Sequence, residues 1–186
     1  MKYAVAALAT LTVLGLLALV FPYTGIYNVA ASAGHTSIVR WYLDTLSERS
    51  IKARSGNITP PEDLGDSLVI RRGAVAFADM CRTCHGAPGA ERSPTGKGMT
   101  PEPPSLSEAA SEWSAPDIYW ILQHGIKMAG MPAYGPTHSE EELWEIVAFV
   151  QQLPEMTPER YATLTADRSS SDSTSAMASD GHDHVH

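Results

Sequence analysis

Cysteine is scarce in this 186-residue chain: Cys81 and Cys84 are the only two. All thiol chemistry is therefore confined to one short segment. Positive charge is also in short supply. Thirteen Lys and Arg face 21 Asp and Glu, a formal net charge of −8, which excludes nucleic acid as a natural partner. No internal repeat is visible, and no alternating pattern supports a β-sheet of any size. Charge is missing altogether from Tyr3 to Phe21, a run of 19 residues interrupted only by Thr10, Thr12 and Gly15. As a helix that run spans roughly 28 Å, about the thickness of a bilayer's hydrocarbon core.

The two cysteines stand in the run Cys81-Arg82-Thr83-Cys84-His85. C-x-x-C-H is the attachment sequence for c-type haem. Two thiols on one helical turn reach the two vinyl groups as thioethers, and the adjacent imidazole becomes the proximal ligand of the iron. Two other chemistries use related spacings. A zinc site needs a second Cys/His pair at ligand spacing, but the next histidines, His124 and His138, are isolated. A thioredoxin-like pair needs a βαβ pattern around it, and none is present.

The organisation follows from the apolar pattern. Residues 1–21 read as a transmembrane anchor, retained rather than cleaved. The nearest small-residue site, Ala31-Ser32-Ala33, lies well past the apolar run. With Lys2 on one side and no charge on the other until Arg40, the N-terminus is expected in the cytoplasm and the remainder on the periplasmic, outer face of a bacterial cytoplasmic membrane. Residues 22–61 form a connector: an aromatic stretch suited to the membrane interface, then an amphipathic helix over Thr36–Arg54. There Ile38, Trp41, Tyr42 and Leu46 recur at helical spacing, a face for either the domain that follows or the lipid surface.

Residues 62–166 should be the compact domain. Its first helix is predicted over Leu68–Cys81, with Gly73, Phe77 and Cys81 on one face. A long wrapping loop is expected from Gly86 to Ser114. Capping boxes at Ser114–Asp117 and Ser139–Glu142 open two more helices, the first closed by Gly125 and the second running to Leu153. A last turn begins at Thr157-Pro158, held by Tyr161 and Leu164. Residues 167–186 are Ser/Asp-rich and read as a disordered tail. An all-α domain of this size, a third of it loop, buries too little surface unaided, and a haem would serve as its core. Met131 sits in a glycine-flanked loop just before Pro132, where helical packing does not account for it; a thioether there suits a second axial ligand. Met128 competes for that role but lacks the following proline, while Met80 and Met99 read as packing residues.

Over roughly Leu68–Leu153 the chain resembles the class I mono-haem c-type cytochromes. The match consists of Gly73-x3-Phe77-x3-Cys81-x2-Cys84-His85, then Pro104-Ser-Leu106, then Gly130-Met131-Pro132, then a closing amphipathic helix. The resemblance implies an all-α, class I cytochrome c-like fold wrapped around one covalent haem c. It implies Cys81 and Cys84 as thioether carriers, His85 and Met131 as iron ligands, and Pro104 and Leu106 at the cofactor. It also implies that first and last helices cross at Gly73, setting Gly73 and Phe77 against Trp144, Val147 or Ala148, and that the Pro104 carbonyl accepts a hydrogen bond from the proximal imidazole.

The expected function is electron transfer by a membrane-anchored cytochrome with His/Met ligation, as a carrier or as the cytochrome subunit of a respiratory or dehydrogenase complex, and not itself an enzyme. One alternative is a ligand-binding or peroxidase-like haem protein with an open iron site. Another is a metal-handling protein using His182, His184 and His186, whose alternation gives weak transition-metal affinity. From Glu62 to Tyr161 there are 15 Asp/Glu against 7 Lys/Arg, so redox partners are expected to dock through a basic surface.

Overall fold

The computed structural model describes residues 1–166. The three histidines of the C-terminal tail lie outside the described residues. Among the described residues the protein is helical, with no strand; two isolated bridges, Ala87 with Ala90 and Ile126 with Met131, each close a turn. Residues 1–34 form one compact unit and the chain from His35 onward a second.

In the first unit, α1 (Lys2–Val20) is apolar on every side, so it has no face to bury against a protein core. The stretch Lys2–Thr24, whose most apolar 18-residue window has a mean hydropathy of 2.5, is long and apolar enough to cross a membrane. The two polar side chains in its middle are satisfied internally: the Thr10 and Thr12 hydroxyls donate to the carbonyls of Ala6 and Leu8, at 3.0 and 2.9 Å. A 3-10 turn over Phe21–Thr24 ends it, where Pro22 supplies no donor and Gly25 turns at φ +66.

The second unit begins with α2 (Ser37–Ser55), opened by the Thr36 side chain, which accepts from the Val39 amide. Its C-terminal end packs on a later helix through Ile51 and Ser55, both buried. Next comes α3 (Ser67–Met80), capped by the Asp66 carboxylate on the Leu68 amide. It buries Val69, Ile70, Ala74, Phe77 and Ala78 on one face. A single turn, α4 (Arg82–His85), continues it.

The segment from Gly86 to Ser114 is more structured than a loop. It carries α5 (Pro94–Lys97), α6 (Leu106–Ala109) and a 3-10 turn over Ala110–Glu112. Each is a single turn, too short to leave a 3.6-residue signal, and α5 is set by a local cap from the Ser93 side chain. Then α7 (Ala115–His124) and α8 (Glu140–Val150) start at complete capping boxes on Ser114 and Ser139. The last of these stops at Val150, short of the expected Leu153. Leu153 precedes Pro154, which disfavours the α conformation there, and the chain tightens into a 3-10 turn over Leu153–Glu155. Finally α9 (Pro158–Leu164) places Tyr161 edge-on to Phe77, with ring centroids 6.4 Å apart.

The core centres on the crossing of α3 and α8. A Cβ built on Gly73 would lie 1.8 Å from the Glu145 carbonyl oxygen and 3.0 Å from the Phe149 Cβ. Only a residue without a side chain allows the backbones to meet so closely. The resemblance implied Trp144, Val147 or Ala148 opposite Gly73 and Phe77. The structure sets Gly73 closest to Glu145 and Phe149, and the Phe77 ring against that of Phe149 at 5.1 Å between centroids. Trp144 points elsewhere, stacked on Tyr119 of α7 at 4.2 Å. The crossing thus uses the row 145–149 of α8, four residues apart on one ridge.

Candidate haem centre

The helix crossing delivers the end of α3 to one fixed place, and Cys81 is its C-terminal cap. The amides of Cys84 and His85 both bond to the Cys81 carbonyl, at 3.1 and 2.9 Å, winding the five residues into one turn. Cys81 is buried and Cys84 partly so, and both thiols are free. Burial, with Cys84 nearby, pushes the Cys81 thiol up to about 12. A redox-active dithiol needs the opposite shift, toward a stabilised thiolate, so the environment disfavours a thioredoxin-like pair. Gly96 of α5 braces the turn from outside: a Cβ there would stand 2.7 Å from the Cys84 carbonyl oxygen and 3.1 Å from that of Thr83.

The His85 imidazole is half-buried, and its Nδ1 lies 2.9 Å from the Pro104 carbonyl oxygen. A carbonyl only accepts, so Nδ1 carries the proton and donates it. The ring's Nε2 is then the lone-pair nitrogen, the form a metal requires. Burial lowers the imidazole's pKa; the Pro104 hydrogen bond works against that, and the Arg92 charge adds to it. Arg92 is itself tied down, donating to the Pro103 carbonyl and pairing with Glu102 at 2.7 Å. A chain reversal that has no periodicity in sequence is thereby locked one residue from the carbonyl His85 uses. Leu106, in the first turn after Pro104, packs against the core, as do Met131 and Tyr134. A cleft of about 400 Å³ adjoins His85, lined also by Phe77, Arg92, Leu106 and Leu153. Neither cysteine nor Met131 lines it, so it is not the space between the candidate axial ligands.

The Met131 loop is pinned to the end of α7. The Ile126 amide donates to the Met131 carbonyl at 3.1 Å, and the Tyr134 and Gly135 amides donate to the carbonyls of Leu122 and Gln123. Gly125 lets the loop cross directly over it: a Cβ would fall 2.7 Å from Met131, Pro132 and Ala133 backbone atoms. The two methionines of this loop differ sharply. Met128 is 97% exposed, at φ 57, whereas Met131 is half-buried against the core. Met99 packs its methyl group over Gly130, leaving no room for a Cβ there. Burial raises the Tyr134 hydroxyl's pKa, with the two cysteines adding to it, which places that ring close to the attachment turn. From sequence, Tyr134 is one of three aromatics, with Tyr119 and Trp120, that could contact the haem or its propionates, although such aromatics are usually core. Trp120 lies beside His124 at the exposed end of α7, 4.8 Å between ring centroids.

This donor set fits a haem: two free thiols on one turn, an imidazole with Nε2 unprotonated, and a half-buried thioether on a rigid loop. Among the described residues no three His, Cys, Asp or Glu side chains gather to hold a bare metal ion. An all-helical unit of this kind, closed by an α3–α8 crossing behind a C-x-x-C-H turn, is a c-type cytochrome domain. Residues 69–150 match the family model of cytochrome C oxidase, cbb3-type, subunit III. No curated protein matches the chain. The protein therefore carries a c-type cytochrome domain whose cofactor is one covalently bound haem c, with Cys81 and Cys84 at attachment spacing. Its chemistry is haem-based electron transfer.

Proposed function

We propose that the protein is a membrane-anchored mono-haem electron carrier, or the cytochrome subunit of a respiratory or dehydrogenase complex, with His/Met axial ligation. Cys81 and Cys84 form the thioethers, His85 is the proximal ligand, and Met131 fills the sixth position. The haem supplies a one-electron ferric/ferrous couple. The observation that carries the reading is the His85–Pro104 hydrogen bond, because it fixes the tautomer and leaves Nε2 for iron. Half-burial of Met131 on a loop pinned by backbone bonds supports the sixth ligand, since a thioether ordered in advance loses little freedom on binding. With both axial positions filled, no site is open to a substrate, so the protein works as a carrier and not as an enzyme.

The rest of the reading concerns placement. The apolar helix α1 anchors the chain in a bacterial cytoplasmic membrane, single-pass, with the haem domain on the periplasmic side. The family model's description, an oxidase subunit, supports a redox complex in that membrane. The acidic 62–161 segment favours a partner with a basic docking surface. Visible spectra of the haem-loaded protein and of Met131→Ala test the ligation. A low-spin ferric spectrum with a Met–iron charge-transfer band is expected for the parent, and a high-spin or ligand-accepting iron for the variant. A parent spectrum that is already high-spin would move the protein to the ligand-binding class.

A further inference from the structure

The helix α2 is amphipathic, but the face it buries is not its apolar one. Ile51 and Ser55 pack on α7, and the Ser55 hydroxyl donates to the Asp117 carboxylate. At 100° per residue, Ile51 lies about 140° around the helix from Ile38. Ile38, Trp41, Tyr42 and Leu46 form a stripe about that position, with Trp41 at the edge nearest the buried side, and remain 78%, 66%, 60% and 55% exposed. Farther along the same stripe comes Arg49. Isolated apolar residues on a surface need no explanation, but four together with two aromatics mark a docking face.

We propose that this face of α2 lies on the lipid surface of the membrane that α1 enters, as an interfacial helix with Trp41 and Tyr42 at headgroup depth. Three observations select lipid over a protein partner. The twelve residues between Thr24 and Ser37 reach about 40 Å at most, so the anchor keeps α2 next to a bilayer. Trp and Tyr beside aliphatic residues and Arg is the composition of a membrane interface. The charge is also segregated: residues 34–59 carry Arg40, Arg49, Lys52 and Arg54 against Asp44 and Glu48, whereas residues 62–161 are strongly acidic. An anionic leaflet therefore attracts α2 and repels the rest of the domain, which orients the haem domain by one side.

This inference rests on the anchoring reading, and the test separates the two. The full-length, haem-loaded protein is reconstituted into vesicles of phosphatidylcholine and phosphatidylglycerol, some with acyl chains brominated near the glycerol. Flotation with the vesicles checks the anchor; a protein that stays behind overturns the anchoring reading itself. For protein that floats, brominated lipid should quench part of the tryptophan emission, and Trp41→Phe should remove that quenchable part, because Trp113, Trp120 and Trp144 belong to the folded domain. Trp41 is exposed, so the substitution leaves folding intact. Emission that lipid does not quench, or quenching equal in Trp41→Phe, overturns the interfacial helix. A photo-cross-linking amino acid at Leu46 supplies the second readout. A lipid adduct supports the proposal, and a band at twice the chain mass reassigns the face to a second copy and overturns it.

Discussion

Replacing Gly73 by alanine tests the crossing on which the attachment turn depends. The new Cβ would sit 1.8 Å from the Glu145 carbonyl oxygen, well inside the 3.0 Å that such pairs respect. Neither atom belongs to a rotatable side chain, so α3 and α8 must separate by about 1 Å. Overpacking of a tight core costs about 1–3 kcal/mol. The Phe77–Phe149 ring pair, 5.1 Å apart across the same interface, loses contact and adds about 1 kcal/mol. Alanine's better helix propensity returns about 1 kcal/mol. The net expectation is a loss of about 1–3 kcal/mol. Urea unfolding of the haem-loaded protein in detergent, followed by near-ultraviolet and Soret dichroism, measures it. The midpoint should fall while the slope stays constant. A Gly73→Ala protein within about 0.5 kcal/mol of the parent, or more stable, would refute the close backbone approach. Glu145→Ala is the companion experiment: it removes the carboxylate that pairs with Arg72 but leaves the carbonyl, so it should not rescue Gly73→Ala.

Mass spectrometry under denaturing conditions should show one haem added to the chain, and Cys81→Ala with Cys84→Ala should abolish it; an unmodified parent mass would end the attachment reading. Met128→Ala should keep the charge-transfer band that Met131→Ala loses, since Met128 is exposed; exchanged outcomes would reassign the ligand. Burial raises the pKa of Asp117, but hydrogen bonds from Ser114 and Ser55 outweigh it and leave it below the usual carboxylate value. Its stabilising effect is therefore complete above about pH 4 and lost as pH falls through the lowered folded value. Asp117→Asn should flatten that acid limb of a stability–pH profile, and an unchanged limb would show that the carboxylate contributes nothing. Electron transfer to a soluble basic partner should slow as salt rises, screened over about 8 Å at physiological ionic strength; a rate that climbs with salt would contradict the acidic-surface argument.

Sequence alone carried what depends on local spacing. The C-x-x-C-H turn, both capping boxes, the apolar helix faces and the apolar run of α1 are written in residues a few positions apart, and short-range geometry decides them. The expectation of helices at 68–81 and 115–124 holds to within a residue for that reason. The one-turn helices of the 86–114 segment escaped because four residues cannot display a period, and α8 ended early because Pro154 acts backward on the turn before it. Tertiary structure alone decided which ridge of α8 faces Gly73, because several apolar positions on that helix satisfy the pattern equally and only backbone clearance distinguishes them. The proline after Met131 already favoured it over Met128 in sequence, and the tertiary structure added the physical difference, half-burying one and exposing the other. And it alone showed that α2 docks through Ile51 and Ser55 and leaves its aromatic face outward: a helical wheel finds the apolar stripe, but which side meets a neighbour is settled by the partner's shape and by the Ser55–Asp117 bond.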